Sequence, residues 1–236
     1  MYLSVGDIIL FNYDGPIGKW KHAGIVASEI YRKKNCYIEY FKVFECNSPN
    51  SCVKEHFVYP NNYKSMIKKQ IELFEKLEKY ADNKVNKKSF KKQIRIYKSM
   101  PNRLKKSKAK IIRWIGDPLY LHKVYKIAMK WCGNVGYVKN VLKICHVILP
   151  SLTKLNSQKQ KSQFNKKIQK YSENETKSMF CSQFVSAIWT MALKNNEELL
   201  HETFPIIPKR CTPTNLEKLP DIAPTYWLHF EFGNLI

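Results

Sequence analysis

A cysteine opens the most apolar stretch of the chain, KSMFCSQFVSAIWTMAL, which spans residues 177–193. Its apolar residues predict a buried helix that begins near Ser178. Cys181 then lies in the first turn, where the positive end of the helix dipole favours a thiolate. Backbone N–H groups at that end can also donate to an oxyanion during acyl transfer. Cys181 is therefore a candidate nucleophile, although a buried cysteine heading an apolar helix is also a common structural feature.

A thiolate nucleophile works with a histidine, which in turn needs an acceptor that orients its ring. Two predicted strands, KHAGIVASEIY at 21–31 and CYIEYFKVFECN at 36–47, offer such a pair across the polar segment RKKN. In an antiparallel hairpin centred on RKKN, His22 lies opposite Glu45, with Cβ atoms about 5 Å apart. A carboxylate at that distance can hold the imidazole.

The strand pattern is also compatible with a register shifted by two residues. Such a slip brings Val43 or Asn47 opposite His22. Glu39 lies on the same face as Glu45 but nearer the loop, so it is the weaker partner. A strand histidine also commonly satisfies a structural hydrogen bond, which is the alternative interpretation of His22.

The other cysteines and histidines show no comparable arrangement. By strand alternation Cys36 and Cys46 lie on the opposite face from His22 and Glu45, so neither competes as nucleophile. Seven cysteines without a CxxC pair favour neither a disulfide scaffold nor a zinc site. We expect no metal and no cofactor, and we predict structural or surface roles for the remaining histidines: His56, His122, His146, His201 and His229.

Four short motifs occur in a specific order: GDIILF, KHAGIV, VFECN and, far downstream, MFCSQFV followed by TPTNLE. This order resembles the circularly permuted papain-like group of the NlpC/P60 superfamily, and most closely its YiiX and poxviral branch. In that group a His-x-Gly strand precedes a Glu that ends the next strand, and the Cys comes last. The resemblance implies a triad of Cys181, His22 and Glu45.

The resemblance also implies a fold: an α+β, permuted papain-like architecture with an antiparallel sheet packed on the nucleophile helix. Residues 1–60 would form the first part of the core and 171–236 the second. The motifs cover residues 5–47 and 176–220 only, so we interpret 61–170 as a large basic helical insertion.

Three residues near the motifs are further candidates for binding substrate or forming the oxyanion site. Ser182 and Gln183 follow the cysteine, and capping or solvation of the helix start is an equally good interpretation of both. Asp7 precedes the first strand, where it is expected mainly to cap or turn the chain.

The remaining elements follow from periodicity. GDIILFNY at 6–13 predicts a buried strand, and TYWLHFEFGNLI alternates as a closing strand does. Lys-rich amphipathic patterns predict helices over 61–110 and again over 119–152, where GNVGY after Trp131 breaks the second region into two pieces. The polar residues 151–177 predict a loop or linker.

Charge is concentrated in the middle of the chain. The protein has 41 basic and 19 acidic residues, and residues 61–170 alone hold 29 of the first and 5 of the second. Three interpretations of this segment stay open: a solvated lysine-rich surface, a face for an anionic membrane that uses Trp114 and Trp131, and, less favoured, nucleic-acid binding.

These observations predict a papain-like cysteine hydrolase or acyltransferase that acts on a peptide, amide or other acyl-containing substrate. A lipid ester or thioester is the alternative bond, and a non-catalytic basic binding module is the alternative class. The N-terminal residues lack a signal peptide, and no segment has the length of a membrane-spanning helix. We therefore expect a cytoplasmic protein, or one in a host cytosol or at a membrane periphery if it is viral or a secreted effector.

Overall fold

The structure, a computed structural model, describes residues 3–12, 20, 22–32, 39–47, 51–58, 63–81, 83–103, 107–138, 157–169, 171 and 178–235. These residues form seven strands and eight α-helices, and every strand pair is antiparallel, so the predicted α+β class is confirmed.

The strands are β1 (Ile8–Asn12), β2 (His22–Val26), β3 (Tyr31–Arg32), β4 (Glu39–Cys46), β5 (Ser51–Val58), β6 (Ser107–Trp114) and β7 (Trp227–Leu235). The helices are α1 (Tyr63–Lys79), α2 (Lys84–Arg103), α3 (Leu119–Trp131), α4 (Gln158–Ile168), α5 (Cys181–Leu193), α6 (Glu197–Thr203), α7 (Pro213–Glu217) and α8 (Leu219–Ile222). A 3₁₀ turn at Pro208–Arg210 lies between α6 and α7.

The sheet has the order β2-β1-β6-β7-β5-β4-β3, and β2 also pairs with β4. This extra pairing closes six of the strands into a ring and leaves β3 beside β4. A closed ring leaves few unpaired strand edges, which is one way in which antiparallel sheets avoid edge-to-edge association.

Side-chain alternation gives this ring two apolar faces. A smaller cluster inside it includes Ile9, Phe11, Val26, Val43 and Ile111, all at most 1% exposed. The larger cluster lies on the outer face, where the sheet packs on α5 and neighbouring helices. The hydrophobic core therefore consists of two layers, and β1, β2, β4 and β6 each contribute side chains to both.

Helix α5 is the most deeply buried helix of the described chain, because twelve of its thirteen residues are buried. It packs against β2, β4 and α3. A helix that is apolar on all sides requires this position, since no face of it suits water. The buried helix that the sequence predicts from about Ser178 is confirmed, and it begins at Cys181.

The segment 61–170, predicted as a helical insertion, includes part of the sheet. Residues 107–114 form β6, which lies between β1 and β7. Lysines in SKAKIIRW suggested a helix, but Ala109 and Ile111 point into the ring and Ile112 points to the outer core. Lys110 forms an ion pair with Glu217 at 2.6 Å, which accounts for a lysine that is largely buried in a central strand.

Among the described elements of that segment, α1 and α2 are the ones separate from the core clusters. They pack on each other through Phe74, whose ring lies 6.1 Å from Phe90 and 5.6 Å from Tyr97. Trp114 and Trp131 are 3% and 1% exposed in the outer core cluster, so neither forms the membrane face that the sequence suggested.

One further expectation changed. The predicted loop at 151–177 contains α4, which a Ser157–Gln160 capping box begins and whose buried Phe164 and Ile168 join the core. The first piece of the helical region predicted over 119–152 is confirmed as α3, which ends at Trp131 before GNVGY, and residues 139–150 lie outside the described residues. The closing strand at the end of the chain is confirmed as β7.

Candidate active site

Two backbone contacts hold the chain just before the candidate nucleophile. Met179 N–H donates to the Gly136 carbonyl at 2.8 Å, and Val138 N–H donates to the Met179 carbonyl at 3.1 Å. Phe180 precedes α5 in extended conformation and gives it no side-chain cap. Cys181 is therefore the first helical residue, in a position fixed from both sides, with the N–H groups of the helix start directed towards it.

His22 is the first residue of β2 and makes contact with both other members of the predicted triad. Its Nε2 lies 3.0 Å from Glu45 Oε2, and the ring also hydrogen-bonds the Cys181 side chain. His22 and Cys181 are each 8% exposed, and Glu45 is 1% exposed. The structure thus brings a sulfur, an imidazole and a carboxylate together from β2, β4 and α5.

The strand register that permits this contact differs from the centred hairpin. Ile25 pairs with Phe44 and Val26 with Val43, which is a shift of two residues from a His22–Glu45 pairing. A two-residue shift preserves the sheet face. Glu45 consequently reaches His22 along the face, whereas Glu39 lies at the other end of β4, beside Arg32 and Val58.

Gly24 creates the space that Glu45 occupies. A Cβ at this position would lie 2.4 Å from Val43 Cγ1, 3.0 Å from the Phe44 carbonyl and 3.3 Å from Glu45 Cγ. Only a residue without a side chain lets the β4 strand approach β2 this closely. The glycine of HAGIV is thus explained by close packing next to the site.

We expect Gly24→Ala to destabilise the protein by about 1–3 kcal/mol, because the added methyl group overpacks the β2–β4 contact. Urea unfolding at neutral pH measures this cost. Combining Gly24→Ala with Val43→Ala should recover part of the lost stability, since the second change removes Val43 Cγ1, the atom 2.4 Å from the added methyl group. Strictly additive costs in the double variant would show that the Val43 contact is not the cause.

The charges of the site are mutually stabilising. Burial by itself disfavours protonated His22, but hydrogen bonds to Cys181 and Glu45 outweigh it and raise the pKa of His22 to about 10. Burial likewise disfavours the Cys181 thiolate, yet the hydrogen bond from His22 and the N–H groups of Ala23 and Ser182 hold the thiol pKa below its ordinary value. The favoured state at neutral pH is a thiolate–imidazolium pair.

Glu45 accepts from a second imidazole, that of His56, which the predicted triad does not include. His56 Nε2 lies 2.5 Å from Glu45 Oε1, and its ring stacks on Phe11 at a centroid distance of 4.7 Å. Burial would raise the pKa of Glu45, but hydrogen bonds from His22 and His56 together lower it. The prediction that His56 is merely structural or on the surface is therefore corrected: it is buried and holds the carboxylate.

A signal for His56 was present in the sequence. SCVKEHFV alternates as a strand does, which places Cys52, Lys54 and His56 on one face. The sequence patterns above predict no element for this stretch, although it forms β5 and pairs along the whole of β4. Lys54 Nζ, 3.6 Å from Glu45 Oε2, lies on the same face.

The three secondary candidates take different positions. The Ser182 hydroxyl donates to the Cys211 carbonyl at 2.7 Å, so its side chain is directed away from the sulfur and only its backbone N–H faces it. Gln183 is the one residue of α5 that is not buried, and its amide lies 3.4 Å from the Tyr171 hydroxyl.

Asp7 does not join the triad in the described structure. Its carboxylate accepts from the Ser4 N–H at 2.9 Å and from Arg113 Nη2 at 2.7 Å. Burial, only partly offset by Arg113, raises the pKa of Asp7. This ion pair ties the start of β1 to β6, in agreement with the structural role expected for Asp7.

Nearby cysteines lack the features that favour a thiolate at Cys181. Burial raises the pKa of Cys46 to about 12 and also raises that of Cys211. Cys46 Sγ lies 3.2 Å from the Met179 carbonyl, an acceptor that favours the protonated thiol. Cys36 and Cys145 lie outside the described residues.

Within the described ranges, no group of three or more His, Cys, Asp or Glu side chains is arranged to hold a metal ion. Comparisons of the chain with protein-family models, with curated proteins and with solved structures found no match. The chemistry of the site is therefore argued from its own geometry.

Proposed function

We propose that this protein is a papain-like cysteine hydrolase or acyltransferase that acts on amide bonds. The observation that carries the proposal is the contact of His22 with Cys181 on one side and with Glu45, at 3.0 Å, on the other. A thiol that contacts an imidazole, which in turn contacts a buried carboxylate, is the arrangement that activates a cysteine for acyl transfer.

The catalytic cycle starts from the thiolate–imidazolium pair of Cys181 and His22. The Cys181 thiolate attacks the substrate carbonyl carbon, a C–S bond forms, and the carbonyl oxygen becomes an oxyanion. Since Nε2 of His22 contacts Glu45, the nitrogen that serves the sulfur is Nδ1. Its proton passes to the leaving amine as the C–N bond breaks, which leaves a thioester on the enzyme.

The second half of the cycle releases the acyl group. Neutral His22 takes a proton from water, or from an acceptor amine or alcohol, as that group attacks the thioester. The C–S bond breaks, and the thiolate and imidazolium are restored. Glu45 stays ionised throughout and holds the imidazolium, while His56 fixes the carboxylate from its other oxygen.

Backbone N–H groups at the start of α5 are the donors proposed for the oxyanion. The Gln183 amide, which the sequence suggested as a further donor, is engaged with the Tyr171 hydroxyl at 3.4 Å, so the proposal does not depend on it. The Ser182 side chain is excluded from this role by its hydrogen bond to Cys211.

The fold that we propose for this site is the permuted papain-like one. In its support, the helix headed by Cys181 packs on the strands that carry His22 and Glu45. The chain order is His, Glu, Cys, which is a circular permutation of the ordinary papain order, in which the Cys comes first. An amide is the substrate bond that the resemblance to peptidases and amidases implies.

The first experiment tests whether Cys181 forms and turns over an acyl-enzyme. We expect p-nitrophenyl acetate to acetylate Cys181 selectively, as located by peptide mapping, and nitrophenol release to continue beyond one equivalent. Cys181→Ala should abolish both. Acetylation that is no faster at Cys181 than at Cys132, or that never turns over, would instead favour a non-catalytic binding module on this scaffold.

The ion pair also predicts an unusual pH dependence of alkylation. The thiolate forms above the lowered pKa of Cys181, and His22 keeps its proton up to about pH 10. The rate of iodoacetamide alkylation at Cys181 should therefore rise less between pH 7 and pH 9 than the rate at an ordinary thiol. Cys132, whose pKa is raised by burial and by Cys52, is the internal control, and its rate should rise steadily. A parallel rise at Cys181 would contradict the ion pair.

A further inference from the structure

Exposed apolar side chains gather around the connection between α1 and α2. The described residues contain eleven large hydrophobic side chains that are exposed, and four of them fall within residues 73–85: Leu73, Leu77, Tyr80 and Val85. Tyr80 is 75% and Val85 77% exposed, the two highest values of the eleven. Such clustering at one place on a surface marks an interaction site more often than scattered single residues do.

Lysines surround these apolar residues. We define the hairpin tip as Leu77, Tyr80 and Val85 together with Lys76, Lys79, Lys84, Lys87 and Lys88, and all eight side chains are exposed. Residues 63–103, which include both helices, hold 13 basic and 4 acidic residues. The tip therefore combines positive charge with exposed apolar groups.

Two acidic residues of α1 are already paired with lysines of α2. Glu75 Oε1 lies 2.8 Å from Lys98 Nζ, and Glu78 Oε1 lies 3.6 Å from Lys91 Nζ. These pairs reduce the negative charge that would oppose an anionic partner. The lysines of the hairpin tip do not take part in these two ion pairs. The positive charge of the tip lysines therefore remains exposed at the surface.

We propose that the hairpin tip docks the protein on an anionic membrane surface. Lysines are attracted to acidic headgroups, and aromatic and aliphatic side chains between them enter the interface. A nucleic acid would satisfy the lysines but would leave Leu77 and Val85 without a partner, which is why we choose the membrane. The inference does not rest on the proposed catalytic function.

Vesicle co-sedimentation of the full chain tests the proposal. We expect binding to phosphatidylserine-containing vesicles that exceeds binding to pure phosphatidylcholine and that weakens as salt is raised. The double variant Leu77→Ser/Tyr80→Ser should bind about tenfold more weakly, because two interfacial anchors are lost. Leu119→Ser, a change at a comparably exposed residue of α3, is the matched control and should bind as the parent does.

A spectroscopic measurement shows whether the tip enters the interface. All five tryptophans of the chain are buried, so Tyr80→Trp places one exposed reporter at the tip. Its emission should shift to shorter wavelength with phosphatidylserine vesicles and be quenched by brominated lipid. Cys181→Ala should leave vesicle binding unchanged, which separates this proposal from the catalytic one.

Two outcomes would overturn the proposal. One is vesicle binding that the Leu77→Ser/Tyr80→Ser variant retains in full. The other is binding of duplex RNA or DNA at concentrations where no vesicle binding occurs, since that result would identify the lysines as a nucleic-acid surface.

Discussion

At pH 6, iodoacetamide should alkylate Cys181 about 30-fold more slowly in the His22→Ala variant than in the parent protein. Without the imidazolium, only the N–H groups of Ala23 and Ser182 remain to favour the thiolate, while burial, the largest influence, raises the pKa of the thiol. An ordinary thiol of pKa near 8.5 is only about 0.3% ionised at this pH. The largest possible fall in thiolate fraction is therefore about 300-fold, and part of it is offset because low-pKa thiolates are weaker nucleophiles.

Peptide-level mass spectrometry measures this rate for each cysteine separately. His122→Ala is the matched control, since His122 is an exposed residue of α3 outside the site, and it should not change the rate at Cys181. Equal alkylation rates in the His22 variant and the parent would show that the imidazole does not activate the sulfur, and the proposed mechanism would then fail.

Replacing Glu45 by glutamine should lower the free energy of unfolding at pH 7 by about 1–3 kcal/mol. The carboxylate is 1% exposed and accepts from His22 and His56, so its loss removes one of the two anionic partners of protonated His22, the other being the Cys181 thiolate. The amide keeps the size of the side chain but supplies one neutral acceptor. We expect thiol activation to fall as well, because the imidazolium is no longer held.

The pH dependence of this loss has a definite sign. The pKa of Glu45 is lower in the folded protein than in the unfolded chain, where it is about 4.3. Its stabilising contribution is therefore complete above about pH 4.3 and declines as the pH falls below that value. The difference in unfolding free energy between parent and Glu45→Gln should narrow in acid.

Glu39→Gln provides the matched control for this experiment, because Glu39 is on the same strand and undergoes the same chemical change. It lies at the other end of β4, opposite Val58, and we expect it to cost less than 1 kcal/mol. Equal losses in the two variants, measured by urea unfolding, would show that Glu45 has no special role in the site.

Local sequence patterns were sufficient to predict the single elements of this site. A helix that is apolar on all sides must be buried, so the sequence predicts that Cys181 lies at the start of a core helix. The period of two in the strands placed His22 and Glu45 on one face, and this assignment survived a register shift of two residues because such a shift preserves the face. The closing strand followed from the same alternation.

Which distant groups meet depends on the long-range packing of the chain, which local patterns do not specify. His56 reaches Glu45, and β6 inserts between β1 and β7, because a closed ring of strands must be completed by non-local pairing. Nothing within SKAKIIRW or SCVKEHFV specifies a partner strand. Burial of Trp114 and Trp131 has the same origin, since a tryptophan in a local pattern suits a core and a membrane face equally well. Periodicity selects the face of an element, whereas packing of the whole chain selects what that face contacts.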